Sequence, residues 1–204
     1  MNLLPPSAIP DLTALQAQGE WSLLMGGMGG GGSQDHTAQT LLTNCIRLLD
    51  AAVHNYQLGA DAISQFHGRG AGEFALRHIL RATTHFESCI WHFERFIKHA
   101  TALRSIKSAE TDLKLIIPKN LSFLKQDAEG QITKLRHTLA HLEGAAQRGE
   151  LPAGKLIALM PMDDGLRIGD HTIIWDDLAT WLKDAHACVK RLAGFKPVQH
   201  QPEA

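Results

Sequence analysis

The chain has 204 residues, 44% of them hydrophobic, which is enough for one domain with a sizeable apolar core. The 20 lysines and arginines nearly balance the 21 aspartates and glutamates, so the formal net charge of −1 excludes the overall basic field of many nucleic-acid and membrane-surface binders. Three widely spaced cysteines indicate neither a zinc knuckle nor a disulfide framework, whereas 12 histidines supply many groups that titrate near neutral pH.

The two ends of the chain predict segments outside the folded domain. Residues 1–32 form an appendage in this interpretation, with a short helix over 12–24 and then a glycine-rich run over 25–32 that lacks the Gly-Lys-Ser/Thr ending of a phosphate-binding loop. That run is predicted to be a flexible linker, with a backbone nest for an anion as the alternative. The tail 196–204 is predicted to be disordered. The chain opens without a signal-peptide pattern and contains no run of ~18 apolar residues, so we expect a cytoplasmic protein without a membrane span.

Helical periodicity marks the beginning of the domain, which is predicted to span residues 33–195. Ser33 is a good N-cap for a first helix over 34–58, and Gly59 is expected to end that helix. The strongest periodic signal follows over 72–104, where apolar residues recur in alternating steps of four and three. This second helix is about 48 Å long at 1.5 Å per residue, longer than a minimal core needs, so one end is expected to project or to take part in a dimer.

Two further helices and a small β-ribbon complete the predicted domain. The segment 113–117 is predicted as a loop or short strand, and a third helix spans 127–147. Strand-like runs over 156–160 and 166–174, joined by an Asp-Asp-Gly turn, form a β-ribbon. A last amphipathic helix covers 175–193. The predicted fold class is therefore all-α, a four-helix bundle with a small β-ribbon inserted before the last helix.

The third predicted helix carries an unusual polar face. Lys134, His137 and His141 lie opposite its apolar seam on a wheel of 100° per residue. Arg136 and Glu143 lie together at the edge of the apolar stripe. A basic face that carries imidazoles indicates an anionic ligand or a second subunit, and an ordinary solvated helix face is the alternative.

The segment 136–141 of this helix, with the sequence Arg-His-Thr-Leu-Ala-His, fits Arg-x4-His with a polar residue directly after the arginine, and this pattern resembles the HEPN superfamily. The β-ribbon is similar to elaborations of abortive-infection-type members, and the resemblance covers about residues 34–195. It implies a helical homodimer that cuts RNA without a metal ion or cofactor, with Arg136 and His141 as the catalytic residues. It also implies a toxin or phage-defence effector whose partners are RNA and an antitoxin protein. Glu143 stands where one subclass has a tyrosine modified by a nucleotidyltransferase, so that subclass is not indicated.

The two motif residues suit RNA cleavage by the 2′-hydroxyl. That reaction needs a base, an acid for the leaving oxygen and positive charge near the phosphate, which histidine and arginine supply. Residues five apart on a helix point ~140° apart, so Arg136 and His141 share one site only if the arginine stem wraps round the helix or two subunits form a composite site. His137 and Glu143 are the expected supporting residues on the same helix.

A regular pattern on the second helix adds further candidates. Four histidines recur every seven residues: His78, His85, His92 and His99. Glu87 and Glu94 line the other flank of the apolar seam and are candidate supporting acids, while helix packing alone is the alternative explanation. Histidines seven apart on a helix are ~10 Å apart, too far for one ion, and only His137 and His141 have the i,i+4 spacing of metal ligands, so we expect no metal.

The leading functional hypothesis is a metal-independent, HEPN-like endoribonuclease that acts as a homodimer with a composite Arg/His site. The alternative is a non-catalytic helical binding or scaffold protein of the same fold, and a metal-dependent bundle enzyme comes third. A dimer that joins the two Arg136/His141 sets in one cleft favours the first hypothesis, and a monomer with those groups apart favours the second.

Overall fold

The computed structural model describes residues 9–18, 33–68, 75–107, 111–150 and 158–196, and most of these residues are helical. Within these ranges five α-helices follow in chain order: α1 (His36–Gly68), α2 (Ala75–Ser105), α3 (Thr111–Leu115), α4 (Gln126–Gln147) and α5 (Trp175–Ala193). A three-stranded antiparallel sheet lies directly before α5, so the predicted helical bundle with a small β insertion is confirmed. None of the helices in the described ranges is both long and apolar enough to cross a membrane.

Helices α1 and α2 pack against each other as the central pair of the fold. The prediction that Gly59 ends the first helix is wrong, because α1 continues to Gly68. A Cβ at Gly59 would lie 2.8 Å from carbons of the Phe86 ring, so the glycine permits a close approach of the two helices. Glycine costs about 1 kcal/mol relative to alanine inside a helix, and the complete burial of Phe86 offsets that cost.

An aromatic cluster joins this helix pair to the start of α5. The rings of Tyr56 and Phe86 meet edge to face with centroids 6.0 Å apart, and the Trp175 ring lies 6.3 Å from Tyr56 and 5.0 Å from Phe86. The indole N–H of Trp175 donates to the carbonyl of Met162 at 2.9 Å, so its polar atom is satisfied inside the core. The cluster therefore fixes α5 and the adjoining sheet against α1 and α2.

Part of the predicted N-terminal appendage packs into the same core. Leu12 is 1% exposed, and its backbone N–H donates to the Gln57 side-chain oxygen at 3.3 Å. The Tyr56 hydroxyl donates to the carbonyl of Pro10 at 3.1 Å. Residues 12–18 of the predicted helix over 12–24 are described, and Thr13–Gln18 forms a 3₁₀ helix. The glycine-rich run and the tail beyond residue 196 lie outside the described residues.

The short connection between α2 and α4 is helical. The prediction of a loop or strand over 113–117 is wrong, because Thr111–Leu115 forms the single-turn helix α3 and buries Leu113 in the core. An acidic residue in its first turn favours the helix start, and a proline three residues beyond its end prevents continuation. A 3₁₀ turn at Ser122–Leu124 then buries Phe123 against two phenylalanines of α2.

The sheet is a three-stranded meander, where a two-stranded ribbon was predicted. Its strands are β1 (Met160–Pro161), β2 (Gly165–Ile168) and β3 (His171–Ile174), paired in the order β1-β2-β3. The predicted return strand over 166–174 is thus a hairpin, because Gly169 adopts φ +57° in the left-handed region that glycine tolerates. Residues 156 and 157 of the predicted strand over 156–160 lie outside the described residues, and of the other three only Met160 belongs to β1.

Helix α4 packs against both α2 and the sheet. Its bounds agree with the predicted helix to within one residue, and Ile132 and Leu135 are fully buried as the apolar seam requires. Further along the seam, Leu139 and Leu142 are only partly buried, because an open cleft borders this part of α4. The fold therefore seals the first half of α4 into the core and leaves the second half at the surface.

Candidate functional site

The Arg136 side chain points towards α2 and makes two contacts there. Its Nε lies 4.0 Å from Glu94 Oε2, and its guanidinium carbon lies 4.6 Å from the centre of the Trp91 ring. The Nε atom is buried and has no hydrogen-bond partner among the described residues. The arginine side chain keeps 30% of its surface exposed, so it lies at the rim of the interface between α2 and α4.

Glu94 is a buried carboxylate held between two cations. Its side chain is only 3% exposed, and Lys98 one turn later places Nζ 2.5 Å from Oε1. Neither carboxylate oxygen makes a hydrogen bond of good geometry within the described structure, so the contacts with Lys98 and Arg136 are ion pairs without directed hydrogen bonds. Because an unpaired buried charge is costly, these cations offset the burial of Glu94.

Trp91 stands at the surface beside Arg136. The residue is 38% exposed, which is unusual for so large an apolar side chain. A second guanidinium, that of Arg95, lies 4.7 Å from the centre of the same ring. Guanidinium groups at this distance are attracted by the negative face of the indole, so two cations and one aromatic ring form a cation–π group at the surface.

A cleft of about 490 Å³ opens next to this group, between α2, α4 and the residue that precedes Leu159. Among the described residues that line it, Glu87 and Arg136 carry charged side chains. The other described lining residues are aromatic or aliphatic: Trp91, Leu139, Ala140, Leu142 and Ala158. Such a cleft has the size and the mixture of apolar surface with a few polar groups that is typical of small-ligand sites.

Glu87 is a half-buried carboxyl within the cleft. Burial raises its pKa above the ordinary value, and a hydrogen bond from the backbone N–H of Leu159 opposes part of that effect. Desolvation disfavours the charged form, so ligand donors that reach this carboxylate gain more than they would at a solvated one.

His137 and His141 lie on the outer face of α4. Both are exposed, and their ring centroids are 4.1 Å apart with the ring planes inclined by 60°. Lys134 is exposed one turn earlier and lines a shallow groove of about 450 Å³ around Gly130. This outer face is therefore an open surface that carries two imidazoles in contact and one lysine, with Asp127 lining the same groove.

The structure sorts the predicted site residues into two groups. Glu87, Glu94 and Arg136 lie together at the junction of α2 and α4. This fits the predicted positions of the two glutamates beside the apolar seam of their helix and of Arg136 at the edge of the apolar stripe of its own. His137 and His141 lie on the outer face, so one chain alone does not unite Arg136 with His141. The predicted supporting residue Glu143 belongs to α4, but its side chain lies outside the described structure.

The four evenly spaced histidines of α2 have structural partners. His92 Nδ1 donates to the carbonyl of Ser88 at 2.7 Å, and His99 Nδ1 donates to the carbonyl of Arg95 at 2.8 Å, each one turn earlier. His85 pairs with the side chain of an α1 asparagine at 3.3 Å, and His78 is buried. These contacts favour the packing explanation of the seven-residue repeat.

Sequence reasoning missed the roles of Trp91 and Arg95. The signal was present in the helical spacing, since Trp91 lies four residues after Glu87 and three before Glu94, and residues at these spacings share one helix face. The apolar periodicity of this helix gave Trp91 no role, although tryptophan is often used to present a ring to a ligand.

The cysteines contribute no nucleophile. All three are buried and free. Burial raises the pKa of each thiol, to about 11 for Cys188, so each stays protonated near neutral pH.

Metal ligands and known relatives give no further guidance to the site. Among the residues that the structure describes, no three histidine, cysteine, aspartate or glutamate side chains converge where they would hold a metal ion. Comparison with protein-family models, with curated proteins and with solved structures found no match to this chain.

Proposed function

We propose that the chain is a metal-independent endoribonuclease of the HEPN type that acts as a homodimer. The observation that carries the proposal is the contact between His137 and His141 on the open face of α4. Two adjacent imidazoles supply a base and an acid at near-neutral pH, and Lys134 adds positive charge for an RNA backbone.

The proposed reaction conserves all atoms of the RNA strand. One imidazole takes the proton of the 2′-hydroxyl as its oxygen bonds to phosphorus, and a protonated imidazole gives a proton to the 5′-oxygen as the P–O5′ bond breaks. The products are a 2′,3′-cyclic phosphate and a 5′-hydroxyl, and no water or metal enters this step. His141, which matches the Arg-x4-His motif, carries out one of these two proton transfers, and His137 beside it carries out the other.

Arg136 enters the proposal through a second copy of the chain. Its guanidinium faces α2, while His141 of the same chain faces outwards, so one chain does not present both groups to one phosphate. In a symmetric dimer, the exposed part of Arg136 from one copy completes the imidazole site of the other, as isologous interfaces allow. Arginine then stabilises the charge that develops on the phosphate.

The direct test is cleavage of a single-stranded RNA by the purified chain in the presence of EDTA. We expect His141→Ala to lower the rate at least ~100-fold, because removal of a proton-transfer group typically has this effect. The matched control is His36→Ala, which removes another exposed histidine at the start of α1. Both variants are expected to unfold at the wild-type temperature. Wild-type activity in His141→Ala, or loss of wild-type activity on adding EDTA, contradicts the proposal.

The second candidate function is a non-catalytic helical binding protein. The observation in its favour is that Arg136 already serves a structural role, because it contacts the buried Glu94 and the Trp91 ring. This candidate predicts that RNA binds to the outer face of α4, or that another partner does, without strand cleavage. Binding without any cyclic-phosphate product would favour it over the nuclease.

The proposal extends to the biological role. A ribonuclease of this type is expected to act as a growth-inhibiting toxin or defence effector and to be neutralised by an antitoxin protein. Induced expression of the wild type is then expected to arrest growth, and His141→Ala is expected not to. Equal growth inhibition by both chains would contradict this extension.

A further inference from the structure

The cleft between α2 and α4 is separate from the imidazole pair on the outer face of α4. Its lining combines a carboxylate, a guanidinium and an indole with leucine and alanine walls. We propose that this cleft binds a guanine base, with Glu87 as the group that selects it and Trp91 as its aromatic wall. This inference does not depend on the ribonuclease activity proposed above.

Glu87 and Arg136 together match the polar edge of guanine. An ionised carboxylate only accepts hydrogen bonds, with about four lone-pair positions, and the Leu159 N–H uses one of them. Guanine presents two neighbouring N–H donors beside its O6 acceptor, whereas adenine presents a donor next to an acceptor nitrogen. A carboxylate therefore suits guanine, and the guanidinium of Arg136 on the same cleft suits O6.

The walls of the cleft suit a flat aromatic ring. Bases are commonly bound by stacking on aromatic side chains or on guanidinium planes, and Trp91 with its two arginines provides both kinds of group. Leu139 and Leu142 are partly buried apolar residues that a bound base would cover further. The exposed Arg95 adds positive charge near the cleft for the phosphate that a nucleotide carries.

The environment of Glu87 adds an energetic reason for a ligand with N–H donors. The carboxyl is half-buried beside apolar walls, so its charged form has lost part of its hydration. Leaving a buried acceptor short of donors is unfavourable, and two donors from a base would restore what water no longer provides. A purely apolar ligand would instead remove more water from this carboxylate without supplying a hydrogen-bond donor.

Calorimetric titration of the full chain tests the proposal with two pairs of probes. The free-nucleotide arm compares GMP with AMP. The oligonucleotide arm compares a short 2′-O-methylated RNA containing one guanine with its adenine counterpart, and the methylation prevents any cleavage. We expect at least ~10-fold tighter binding of the guanine member in one arm or both, since one matched base contact is worth about that much.

Variants assign the selectivity to the cleft. Glu87→Gln is expected to remove the guanine preference, and Glu129→Gln, an exposed glutamate of α4 outside the cleft, is expected to retain it. Trp91→Leu changes a surface residue and is expected to weaken guanine binding ~5-fold or more through the lost stacking. Preference in the GMP arm identifies a free nucleotide as the ligand, and preference only in the oligonucleotide arm identifies a base within RNA. Equal binding of guanine and adenine in both arms, or a preference that survives Glu87→Gln, overturns the proposal.

Discussion

The contact between Arg136 and Glu94 predicts that Arg136 contributes to the stability of the fold, whereas a purely catalytic arginine would not. Truncation by Arg136→Ala leaves the Glu94 carboxylate, 3% exposed, with Lys98 as its remaining ion-pair partner. It also removes one of the two guanidiniums over the Trp91 ring. A surface arginine that serves catalysis alone would change stability by less than ~0.5 kcal/mol.

The expected loss of unfolding free energy in Arg136→Ala is larger than that of a surface arginine but smaller than the loss from breaking a fully buried ion pair. Removing one partner of a buried ion pair typically costs about 3–5 kcal/mol. Here the Arg136 side chain is 30% exposed, its Nε stands 4.0 Å from the carboxylate, and Lys98 remains 2.5 Å away. These three facts reduce the expected cost of Arg136→Ala to about 1–3 kcal/mol, of which the lost cation–π contact accounts for ~0.5–1 kcal/mol.

A double-mutant cycle in urea measures this coupling. Arg136→Ala and Glu94→Gln are made singly and together, and the free energy of unfolding is followed by circular dichroism. We expect a coupling energy of about 1 kcal/mol, because Arg136 matters less once Glu94 is neutral. Arg95→Ala is the matched control, since Arg95 lies over the same ring and makes no ion pair with Glu94 in the described structure, and it is expected to cost under ~1 kcal/mol with no coupling. A coupling energy within ~0.3 kcal/mol of zero would refute the structural role assigned to Arg136.

Two further predictions concern the walls of the cleft. Leu135→Ala is expected to destabilise the fold by about 2–5 kcal/mol, because Leu135 is fully buried. Leu139→Ala is expected to cost clearly less, because Leu139 borders the open cleft. Equal losses of unfolding free energy in chemical denaturation would contradict the position of the cleft. Burial raises the pKa of Glu87, so the folded state binds the carboxyl proton more tightly than the unfolded state does. This tighter proton binding stabilises the fold at low pH, and the stabilisation is lost as pH rises through the raised pKa. The stability of Glu87→Gln relative to wild type should therefore increase between about pH 4 and pH 8, and a difference that is constant or falls across that range would show that the carboxyl is not desolvated.

The sequence predicts the helices best where one face is buried and both ends are marked. The last helix, Trp175–Ala193, has the predicted bounds, because its apolar positions are regularly spaced and a glycine follows it. The end of the first helix was misplaced at Gly59, where a local stop signal was inferred. Only the tertiary structure reveals that this glycine accommodates Phe86. In the same way, the strand predicted over 166–174 is divided at Gly169. Hydrophobic alternation alone does not show that this glycine adopts a left-handed backbone conformation.

The sequence predicted the directions of single side chains in the candidate site but not the cleft that they line. The helical wheel correctly separated Arg136 from His137 and His141, because residue spacing alone fixes those directions. It also placed Glu94 on a flank that turns out to meet α4. The cleft itself depends on how far α4 stands from α2 and on the chain near Ala158, and neither distance follows from periodicity. The place of Trp91 in the wall of this cleft is therefore a feature that only the assembled fold identifies, although its spacing from Glu87 and Glu94 is visible in the sequence.

The composite dimer is tested most directly by mixing two inactive variants. Arg136→Ala and His141→Ala are each expected to lose RNA cleavage, and a mixed dimer of the two contains one damaged site and one intact site. If each site takes Arg136 from one copy and His141 from the other, an equimolar mixture that exchanges subunits should regain roughly a quarter of the wild-type activity. A mixture that stays as inactive as its components, although differently tagged copies of the two variants are recovered as mixed dimers, would contradict the composite site.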